Sequence, residues 1–541
     1  MSDPIADAAQ KHPAPEGVVY TYGTAGFRTK AEVLDSVLTR AGLIAALRSR
    51  SLKGKWIGVM ITASHNPPQD NGVKLVEPMG NMLQEDWEIL STKMANQATP
   101  ADVSKYYADI AAQHKIDLDN TPARVVVARD TRASGSRLLE CLKDGLDSAG
   151  AETKDYGFLT TPQLHYMVRC LNTEGTKDAY GEPTEKGYYE KFGKAFKTAL
   201  MGKVPQGGLT VDCANGVGGP AVNKLVKYLP GKEEGGLEIA VINDNVIKPE
   251  SLNVDCGADY VKTNQRAPPS SKAGPGDRCC SLDGDADRVV YYFKDEKNVF
   301  RLLDGDRIAT LVASFLGDLV RASNLSDKLK IGVVQTAYAN GAATKYVEEN
   351  LKLKVECTPT GVKYLHHAAE KMDIGVYFEA NGHGTVIFSQ DTLATIASHE
   401  PRNPGEKEAL DVLRACIELI NQAVGDALSD FLLVEVVLAH KHWGPQEWLS
   451  TYTDLPNRLL KVLVKDRTVF KTTDAERRLT SPEGLQGLID REVQKVRQGR
   501  SFARASGTED AVRVYAEAET KAEAEDLARK VAGLVEGAGG K

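Results

Sequence analysis

Short apolar runs that end at a polar loop recur along this chain. Val125–Ala128, Leu209–Asp212 and Ile331–Val334 are each followed by a short loop containing Gly or Asn and then by a helix-compatible stretch. Strand, tight loop and helix in this order form the unit of an α/β sheet covered by helices, where ligands collect at the carboxyl ends of the strands. The pattern therefore predicts several similar α/β domains in series.

The remaining pattern predicts how these domains are bounded. Stretches rich in Gly and Pro favour limits that divide the chain into domains I to IV at residues 1–190, 191–300, 301–435 and 436–541. Between Glu406 and Leu432, apolar residues recur close to the 3.6-residue period, which predicts a connecting helical segment. Near the C-terminus, the apolar run Val512–Ala516 precedes a charged amphipathic stretch, Ala522–Val535, so we predict a smaller α+β domain.

Composition narrows the class of protein. The 541 residues carry a net charge of −7, with 42% hydrophobic and 26% charged residues, as is ordinary for a soluble globular protein. Mild acidity provides no overall basic field for nucleic acid or anionic membrane, so any anion must be held locally. No apolar run resembles a signal peptide or approaches the roughly 20 residues of a membrane helix, and we expect a cytoplasmic protein.

Ser64 ends the most informative apolar run. It follows Trp56–Ile61 and precedes Pro67-Pro68, which cannot extend a sheet ladder, so we expect the serine on a rigid, exposed loop. His65 and Lys74 lie nearby in sequence. This combination indicates a nucleophile or a phosphate carrier, and an ordinary polar turn is the alternative.

Asp283, Asp285 and Asp287 alternate on one short segment between two apolar runs. A calcium loop of the EF-hand type does not fit, because Arg288 and Lys294 stand where that loop needs Gly and Glu. Three carboxylates leave room in the coordination shell for water or a phosphate oxygen, as is typical of magnesium in phosphoryl-transfer sites. The alternative is a solvated acidic turn.

Two arginines surround a loop of hydroxyls near the C-terminus. Arg504 and Arg513 offer forked donors, Ser506 and Thr508 add hydroxyls, and Gly507 lets backbone amides approach a ligand closely. This composition suits a phosphate dianion. A turn or helix cap without a ligand is the alternative.

Two weaker loops complete the set. Glu379, Asn381 and His383 follow an apolar run and together can bond the vicinal hydroxyls of a sugar, while His383 can also move a proton near neutral pH. Arg28 ends the glycine-rich turn Tyr22–Arg28. Either loop alone is also typical of a helix cap or plain turn. Taken together, the five loops indicate phosphoryl transfer on a phosphosugar.

Four of these loops, in this order, resemble those of the α-D-phosphohexomutase superfamily, over about Tyr20 to Tyr515. The resemblance implies an α/β protein with the four-domain phosphohexomutase architecture: three similar mixed-sheet α/β domains plus a smaller C-terminal α+β domain around a central cleft. The matching segments are the phosphoserine loop Thr62–Pro67, the metal loop Asp283–Arg288, the sugar loop Glu379–His383 and the phosphate loop Arg504–Arg513.

The sugar loop separates branches of this superfamily. Its Glu-Ala-Asn-Gly-His-Gly form is similar to that of eukaryotic phosphoacetylglucosamine mutases, whereas phosphoglucomutases typically show Gly-Glu-Glu-Ser there. The resemblance implies an isomerase that interconverts N-acetylglucosamine 6-phosphate and 1-phosphate in UDP-N-acetylglucosamine biosynthesis. Phosphoglucomutase or phosphomannomutase activity is the alternative within the superfamily. Outside the superfamily, the remote alternatives are a metal-dependent phosphatase and a non-catalytic sugar-phosphate sensor.

The resemblance also implies roles around the reacting phosphoryl group. Phosphorylated Ser64 would carry that group, and one Mg²⁺ per chain would be held by an oxygen of phospho-Ser64 with the carboxylates of Asp283, Asp285 and Asp287. Lys74 would act as general acid and base. Arg28 and Arg288 would steady the phosphoryl group. His65 would orient the phosphate, or serve the structure only.

Further roles concern the sugar. Glu379 and Asn381 would grip its hydroxyls, and His383 would bind there and exchange protons in the opposite substrate orientation. The non-reacting phosphate would be clamped by Arg504, Ser506, Gly507, Thr508 and Arg513. A hexose 1,6-bisphosphate would serve as intermediate and activator. The expected partner is a small amino-sugar phosphate, without nucleic acid or membrane.

Overall fold

The chain folds into two compact units. The computed structural model describes residues 3–507 and 510–539. Unit 1 comprises Met1–Asp304 and Asp411–Pro445, and unit 2 comprises Gly305–Leu410 and Gln446–Lys541. The chain therefore leaves unit 1, returns to it and leaves it again.

The first sheet of unit 1 is mixed. Its strands are β1 (Phe27–Lys30), β2 (Trp56–Ile61), β3 (Asp70–Val76), β4 (Ala123–Arg129) and β5 (Ala151–Phe158), in the order β1-β3-β2-β4-β5. Strand β2 runs parallel to β4 and antiparallel to β3, and every residue of β2 is buried. A central strand covered on both faces requires an unbroken apolar sequence, which is what the run before Ser64 shows.

Six helices accompany this sheet: α1 (Pro4–Lys11), α2 (Asp35–Ser51), α3 (Glu85–Ala95), α4 (Pro100–Gln113), α5 (Gly135–Ser148) and α6 (Thr161–Thr173). The next helix, α7 (Glu185–Leu200), packs against α6 and against helices that come later in the chain. Helix α6 begins with a capping box, in which Thr160 and Gln163 exchange side-chain and backbone hydrogen bonds. This cap fixes the helix start beside the carboxyl ends of the strands.

The second sheet of unit 1 has the order β10-β9-β8-β6-β7. Its strands are β6 (Gly208–Asp212), β7 (Glu238–Ile242), β8 (Arg278–Leu282), β9 (Val289–Lys294) and β10 (Phe300–Leu303), with helices α8 (Gly218–Leu225) and α9 (Ala258–Asn264). Strand β8 is parallel to β6 and antiparallel to β9. The metal loop is the connection between the buried strands β8 and β9.

Unit 2 begins with α10 (Gly305–Ala322) and a mixed sheet in the order β12-β11-β13-β14. The strands are β11 (Ile331–Thr336), β12 (Lys354–Thr358), β13 (Ile374–Phe378) and β14 (Gly384–Phe388), and the helices are α11 (Gly341–Lys345), α12 (Val362–Ala369) and α13 (Gln390–Ser398). The sugar loop joins the antiparallel strands β13 and β14.

The predicted connecting segment is two helices, α14 (Pro404–Leu419) and α15 (Ala427–Lys441), followed by the short α16 (Pro445–Leu449). Helix α15 is buried from Ala427 to Ala439 within unit 1. A helix that is covered on all sides needs apolar residues around its whole circumference, and Ala427–Ala439 provides them except at Ser429, Asp430 and Glu435.

The C-terminal part of unit 2 is smaller and antiparallel. Its sheets are β15-β19-β18 and β16-β17, formed by β15 (Asn457–Leu463), β16 (Lys471–Thr473), β17 (Arg478–Ser481), β18 (Arg500–Ala505) and β19 (Ala511–Glu517), with helices α17 (Leu485–Val493) and α18 (Lys521–Gly539). The predicted final strand and helix lie within β19 and α18. The fold class, three mixed-sheet α/β parts with a smaller α+β part, is confirmed.

The three predicted limits between the four domains stay a prediction. The limits at residues 190, 300 and 435 fall within α7, β10 and α15, so each would divide a regular element. Short segments outside the elements above are the 3₁₀ turns Ala31–Val33, Val226–Tyr228, Lys232–Glu234, Pro249–Ser251 and Arg467–Val469 and the π-helical turn Tyr346–Asn350.

In the described part of the chain, no helix combines the length and apolar character needed to cross a membrane. All eight cysteines are free thiols, and seven are buried, with Cys357 the partly exposed one. Burial raises the pKa of Cys170 to about 11, typical of an inert structural thiol.

A buried ion pair joins α15 to the second sheet. The Arg278 guanidinium donates to both carboxylate oxygens of Glu435, at 2.8 and 2.6 Å, and the Tyr291 hydroxyl donates to Glu435 at 3.1 Å. The two charged side chains are 4% and 0% exposed. Because removing one partner leaves the other charge buried without compensation, this pair makes unit 1 depend on α15.

We therefore expect Glu435→Ala to lower the local free energy of unfolding of β8 and α15 by about 3 kcal/mol or more. Hydrogen exchange of peptides from these two elements measures the change. The matched control is Asp109→Ala, which removes the exposed Lys105–Asp109 pair in the same unit and should leave their exchange unchanged. Equal protection in both variants would contradict this account.

Candidate active site

Ser64 lies on the loop between β2 and β3. Its backbone φ is +50°, in the left-handed region that a residue with a side chain rarely adopts. Its amide donates to Thr62 Oγ1 at 2.9 Å, and its hydroxyl donates to Asp283 Oδ2 at 2.6 Å. The loop thus aims the serine hydroxyl at the metal loop.

The prediction of an exposed serine is wrong, since Ser64 is 0% exposed. The metal loop passes directly over it: a Cβ placed on Gly284 would lie 2.7 Å from the Ser64 carbonyl oxygen. Sequence showed that the hydroxyl had to leave the strand. It did not show that a segment some 200 residues later would cover it.

The three aspartates of the metal loop form a tight, buried group. Their ligand atoms all lie within 4.8 Å of one another, and Asp283, Asp285 and Asp287 are buried. Burial, together with the two neighbouring carboxylates, raises the pKa of Asp283 well above its usual range. Oδ1 of Asp285 is buried and has no hydrogen-bond partner among the described residues. An uncompensated oxygen among converging carboxylates fits a hard divalent cation such as Mg²⁺.

Threonine hydroxyls fix the other oxygen of Asp285. Thr161 Oγ1 donates to Asp285 Oδ2 at 2.7 Å, and Thr62 Oγ1 lies 3.2 Å from the same oxygen and 2.7 Å from Asp130 Oδ2. Sequence reasoning missed Thr161 and Asp130 as site residues. The helix-start signature at Thr160 was readable, but it does not reveal that the next residue bonds a carboxylate of another sheet.

Cationic side chains lie close to the carboxylates. Lys74 Nζ lies 3.7 Å from Asp287 Oδ2, and Arg288 Nε lies 3.8 Å from Asp283 Oδ2. Burial lowers the pKa of Arg28, and the attraction of the nearby carboxylates, Asp285 first, opposes that shift. Three positive groups facing three negative ones can hold both a cation and a phosphoryl group.

His65 is neutral at physiological pH. Its Nδ1 lies 3.5 Å from the Ser64 hydroxyl oxygen. Burial first, and then the Arg288 and Arg28 guanidiniums, lower the pKa of His65 to about 2. The ring therefore contributes a neutral polar contact to Ser64, not a positive charge.

A second group of ligand-type side chains among the described residues is His12, Asp35 and Cys141. Here His12 Nε2 lies 2.6 Å from Asp144 Oδ2, and Asp35 forms an ion pair with Arg137. The protein's own groups thus already compensate these carboxylates. Of the two groups, the metal loop has the chemistry of a cation site.

In unit 2, the sugar loop is a tight turn stabilised by its own residues. The Glu379 amide donates to the His383 carbonyl at 2.8 Å, and the His383 amide donates to Asn381 Oδ1 at 3.0 Å. Gly382 has a φ of +90°, which this turn requires and which a side chain would strain. The three predicted sugar-binding side chains therefore share one rigid turn.

The phosphate loop, also in unit 2, joins β18 and β19. Arg504 and Arg513 are directly opposite each other in the ladder between β18 and β19. Two positive charges in this position repel each other, and a bound anion would offset that repulsion. Ser506 is buried, and its amide donates to Ala511. A Cβ on Gly507 would have no described residue within 4 Å, beyond its chain neighbours. Thr508 lies outside the described residues.

Two residues that sequence reasoning missed hold Arg504 in place. Arg504 Nε donates to the Tyr338 hydroxyl at 2.9 Å, and Arg504 Nη1 lies 3.6 Å from Glu476 Oε1. Glu476 also accepts from the Thr360 amide at 2.9 Å. No sequence motif connects these positions, which come together only in the folded unit.

Family models match the chain in four successive segments. The descriptions are "Phosphoglucomutase/phosphomannomutase, alpha/beta/alpha domain I" over 44–101 and 89–177, "Phosphoacetylglucosamine mutase AMG1, domain II" over 178–290 and "domain III" over 304–443, and "Phosphoglucomutase/phosphomannomutase, C-terminal domain" over 459–534.

Relatives that match over nearly the whole chain indicate the same family as the family models. The phosphoacetylglucosamine mutase of Candida albicans is 49% identical over 538 residues, which is 97% of each chain. The chain belongs to the phosphoacetylglucosamine mutase family. The resemblance to the α-D-phosphohexomutase superfamily is thereby confirmed.

The similar solved structures include two of a family member from Aspergillus fumigatus. N-acetylphosphoglucosamine mutase in complex with GlcNAc-6P and magnesium is 61% identical, with a TM-score of 0.96 and 99% of each chain covered. A serine-to-alanine variant in complex with glucose 1,6-bisphosphate is 60% identical, with a TM-score of 0.95 and the same coverage. This phosphoacetylglucosamine mutase family member therefore shares its fold with enzymes crystallised on a sugar phosphate and a sugar bisphosphate.

For the metal loop, we expect Mg²⁺ to raise the unfolding temperature of the wild-type protein and Asp285→Asn to remove most of that rise. A ligand at 100 times its dissociation constant stabilises the state that binds it by about 2.7 kcal/mol, which scanning fluorimetry across a Mg²⁺ titration resolves.

The control is Asp119→Asn, which removes an exposed carboxylate from the same unit. It should keep the full Mg²⁺ response. An equal response in the two variants would show that the ion binds elsewhere.

Proposed function

We propose that this chain interconverts N-acetylglucosamine 6-phosphate and N-acetylglucosamine 1-phosphate through phosphorylated Ser64 and a bisphosphate intermediate, as a step of UDP-N-acetylglucosamine biosynthesis. One observation carries the proposal: the Ser64 hydroxyl lies 2.6 Å from Asp283 within a buried carboxylate group. The relatives, which are phosphoacetylglucosamine mutases over their whole length, support the same reaction.

The chemistry is two phosphoryl transfers in opposite directions. In the first, a bond from phosphorus to the free sugar hydroxyl forms as the bond between phosphorus and Ser64 Oγ breaks. Lys74 accepts the proton of the sugar hydroxyl, and the departing serine oxygen takes up one proton to become the Ser64 hydroxyl, which gives that proton up again in the second transfer. The bisphosphate then turns over, and its other phosphoryl group returns to Ser64 as the departing sugar oxygen regains a proton. Phosphate and protons balance over the cycle, so the reaction consumes no cosubstrate.

Positive charge around Ser64 stabilises both transfers. Asp283, Asp285 and Asp287, with an oxygen of phospho-Ser64, would hold Mg²⁺, the ion named for the A. fumigatus relative. When bound, the ion supplies charge that offsets the negative charge of the phosphoryl oxygens. Arg28 and Arg288 hold the same phosphoryl group from the protein side, and forked guanidinium donors suit its oxygens.

The loops of unit 2 bind the parts of the substrate that do not react. Glu379 and Asn381 bond the sugar hydroxyls, and their rigid turn keeps them preorganised. His383, in the same turn, exchanges the proton in the second substrate orientation. The free phosphate is bound by Arg504, Ser506, Gly507, Thr508 and Arg513.

A cytoplasmic location follows from the proposed substrates. Sugar phosphates carry two negative charges near neutral pH and do not cross membranes unaided. An enzyme that takes one and releases another therefore works in the compartment where both are made. The proposed partner is a small amino-sugar phosphate.

We expect Ser64→Ala to lower kcat at least 1,000-fold, because the proposed reaction passes the phosphoryl group through the Ser64 hydroxyl in both transfers. A coupled assay of N-acetylglucosamine 1-phosphate formation gives the rate, and phosphopeptide mapping after incubation with a hexose 1,6-bisphosphate gives the acceptor. Ser270→Ala, at an exposed loop serine, is the control and should match wild type. Phosphate on a residue other than Ser64 would overturn the mechanism.

We further expect kcat/KM for N-acetylglucosamine 6-phosphate to exceed that for glucose 6-phosphate by about tenfold or more. The two substrates differ in the 2-acetamido group of the sugar. A single methylene in a fitted apolar pocket is already worth about 1–3 kcal/mol of discrimination. Both substrates are assayed under one set of conditions with the same bisphosphate activator. A preference for glucose 6-phosphate would assign the chain the activity of a phosphoglucomutase instead.

A further inference from the structure

We propose that Arg132 and Asn253 are positioning residues for phosphoryl transfer, which hold the Ser64 carbonyl from two sides and so fix the Ser64 hydroxyl against Asp283. The proposal rests on the proposed function of Ser64 as the phosphoryl carrier. Neither residue touches the reacting hydroxyl. Both act through the backbone of the phosphoserine loop.

Arg132 uses every donor it has. Its guanidinium is 0% exposed and donates through Nε to Asp130 at 3.0 Å. Its four remaining N–H groups donate to backbone carbonyls of the loop at 2.6–2.9 Å, those of Ser64, Asn66, Pro67 and Asp70. Five donors in a planar fork thus meet five acceptors, an arrangement that lysine, with three donors at one point, cannot reproduce.

Asn253 contacts the same carbonyls from the connection between β7 and α9. Its side-chain amide donates to the Ser64 carbonyl at 2.9 Å and to the Asn66 carbonyl at 3.2 Å. Its own φ is +59°, and its backbone amide donates to Ala214 at 2.9 Å. A Cβ on Gly284 would lie 3.0 Å from the side-chain nitrogen Nδ2 of Asn253, so the Asn253 side chain lies against the metal loop.

The two residues therefore oppose relaxation of a strained backbone. Ser64 holds a left-handed conformation that a free loop would abandon. Relaxation would carry the hydroxyl away from Asp283, and a displacement of about 1 Å in a group-transfer site can cost about 100-fold in rate. Both transfers use the same serine, so both should slow.

Asn253→Gly is the sharpest test, because glycine tolerates the left-handed φ and only the side-chain amide is lost. We expect kcat to fall about 10- to 100-fold with KM for the sugar phosphate within about twofold, since separate residues bind the sugar. Quench-flow should show the same fall in the rate of Ser64 phosphorylation by a hexose 1,6-bisphosphate. The Mg²⁺ response of the unfolding temperature should persist.

The matched control is Asn298→Gly, which makes the same substitution at a φ of +58° on an exposed turn of the same unit. It should leave kcat unchanged. Arg132→Lys is a second variant, expected to slow phosphorylation of Ser64 at least as much as Asn253→Gly when rates are expressed per folded molecule.

An Asn253→Gly enzyme with wild-type kcat would overturn the proposal. A second outcome would overturn it as well: a lowered kcat that equals the wild-type value once it is expressed per molecule of enzyme that can be phosphorylated. The defect would then lie in folding and not in phosphoryl transfer. If the wild-type protein itself forms no phospho-Ser64, the proposed function fails and this inference fails with it. Normal phosphorylation of wild type with an unaffected Asn253→Gly variant overturns this inference alone.

Discussion

Three carboxylates buried within 4.8 Å of one another repel strongly, and the candidate site is arranged around this constraint. Their negative charge in a low-dielectric interior has to be balanced by bound cations, by positive side chains or by protons. The balancing groups in the protein come from separate segments: Arg28 from β1, Lys74 from β3 and Arg288 from the end of the metal loop. The site therefore exists only when both sheets of unit 1 are assembled.

The same constraint links the serine to the metal loop. Thr62 Oγ1 lies within hydrogen-bonding distance of Asp130 and Asp285, and it accepts from the Ser64 amide. A change in charge at the metal loop is thus felt directly at the backbone of Ser64. Because these groups are held by buried strands, they are oriented before any substrate arrives, which is the condition for effective electrostatic stabilisation of a transferring group.

Sequence patterns predicted the strands that end at functional loops, because an apolar run that stops at a polar residue marks the edge of a sheet. They also indicated which polar loops, the phosphoserine, metal, sugar and phosphate loops, are candidates for the site. They could not predict the burial of Ser64 or the roles of Arg132, Asn253 and Tyr338, since those depend on contacts between distant segments. The 3.6-residue period between Glu406 and Leu432 likewise predicted a helical segment, but not that residues 411–445 belong to unit 1.

The return of α15 to unit 1 sets the order in which the chain can mature. Arg278 and Glu435 are 157 residues apart, so during synthesis at about 5–20 residues per second the arginine waits roughly 10–30 s for its carboxylate. In that interval the second sheet has its strands but not the helix that completes its core. A ribosome-bound chain thus exposes the apolar face of the second sheet that α15 later covers. Chaperones can bind this face, and other chains can aggregate on it, until α15 is in place.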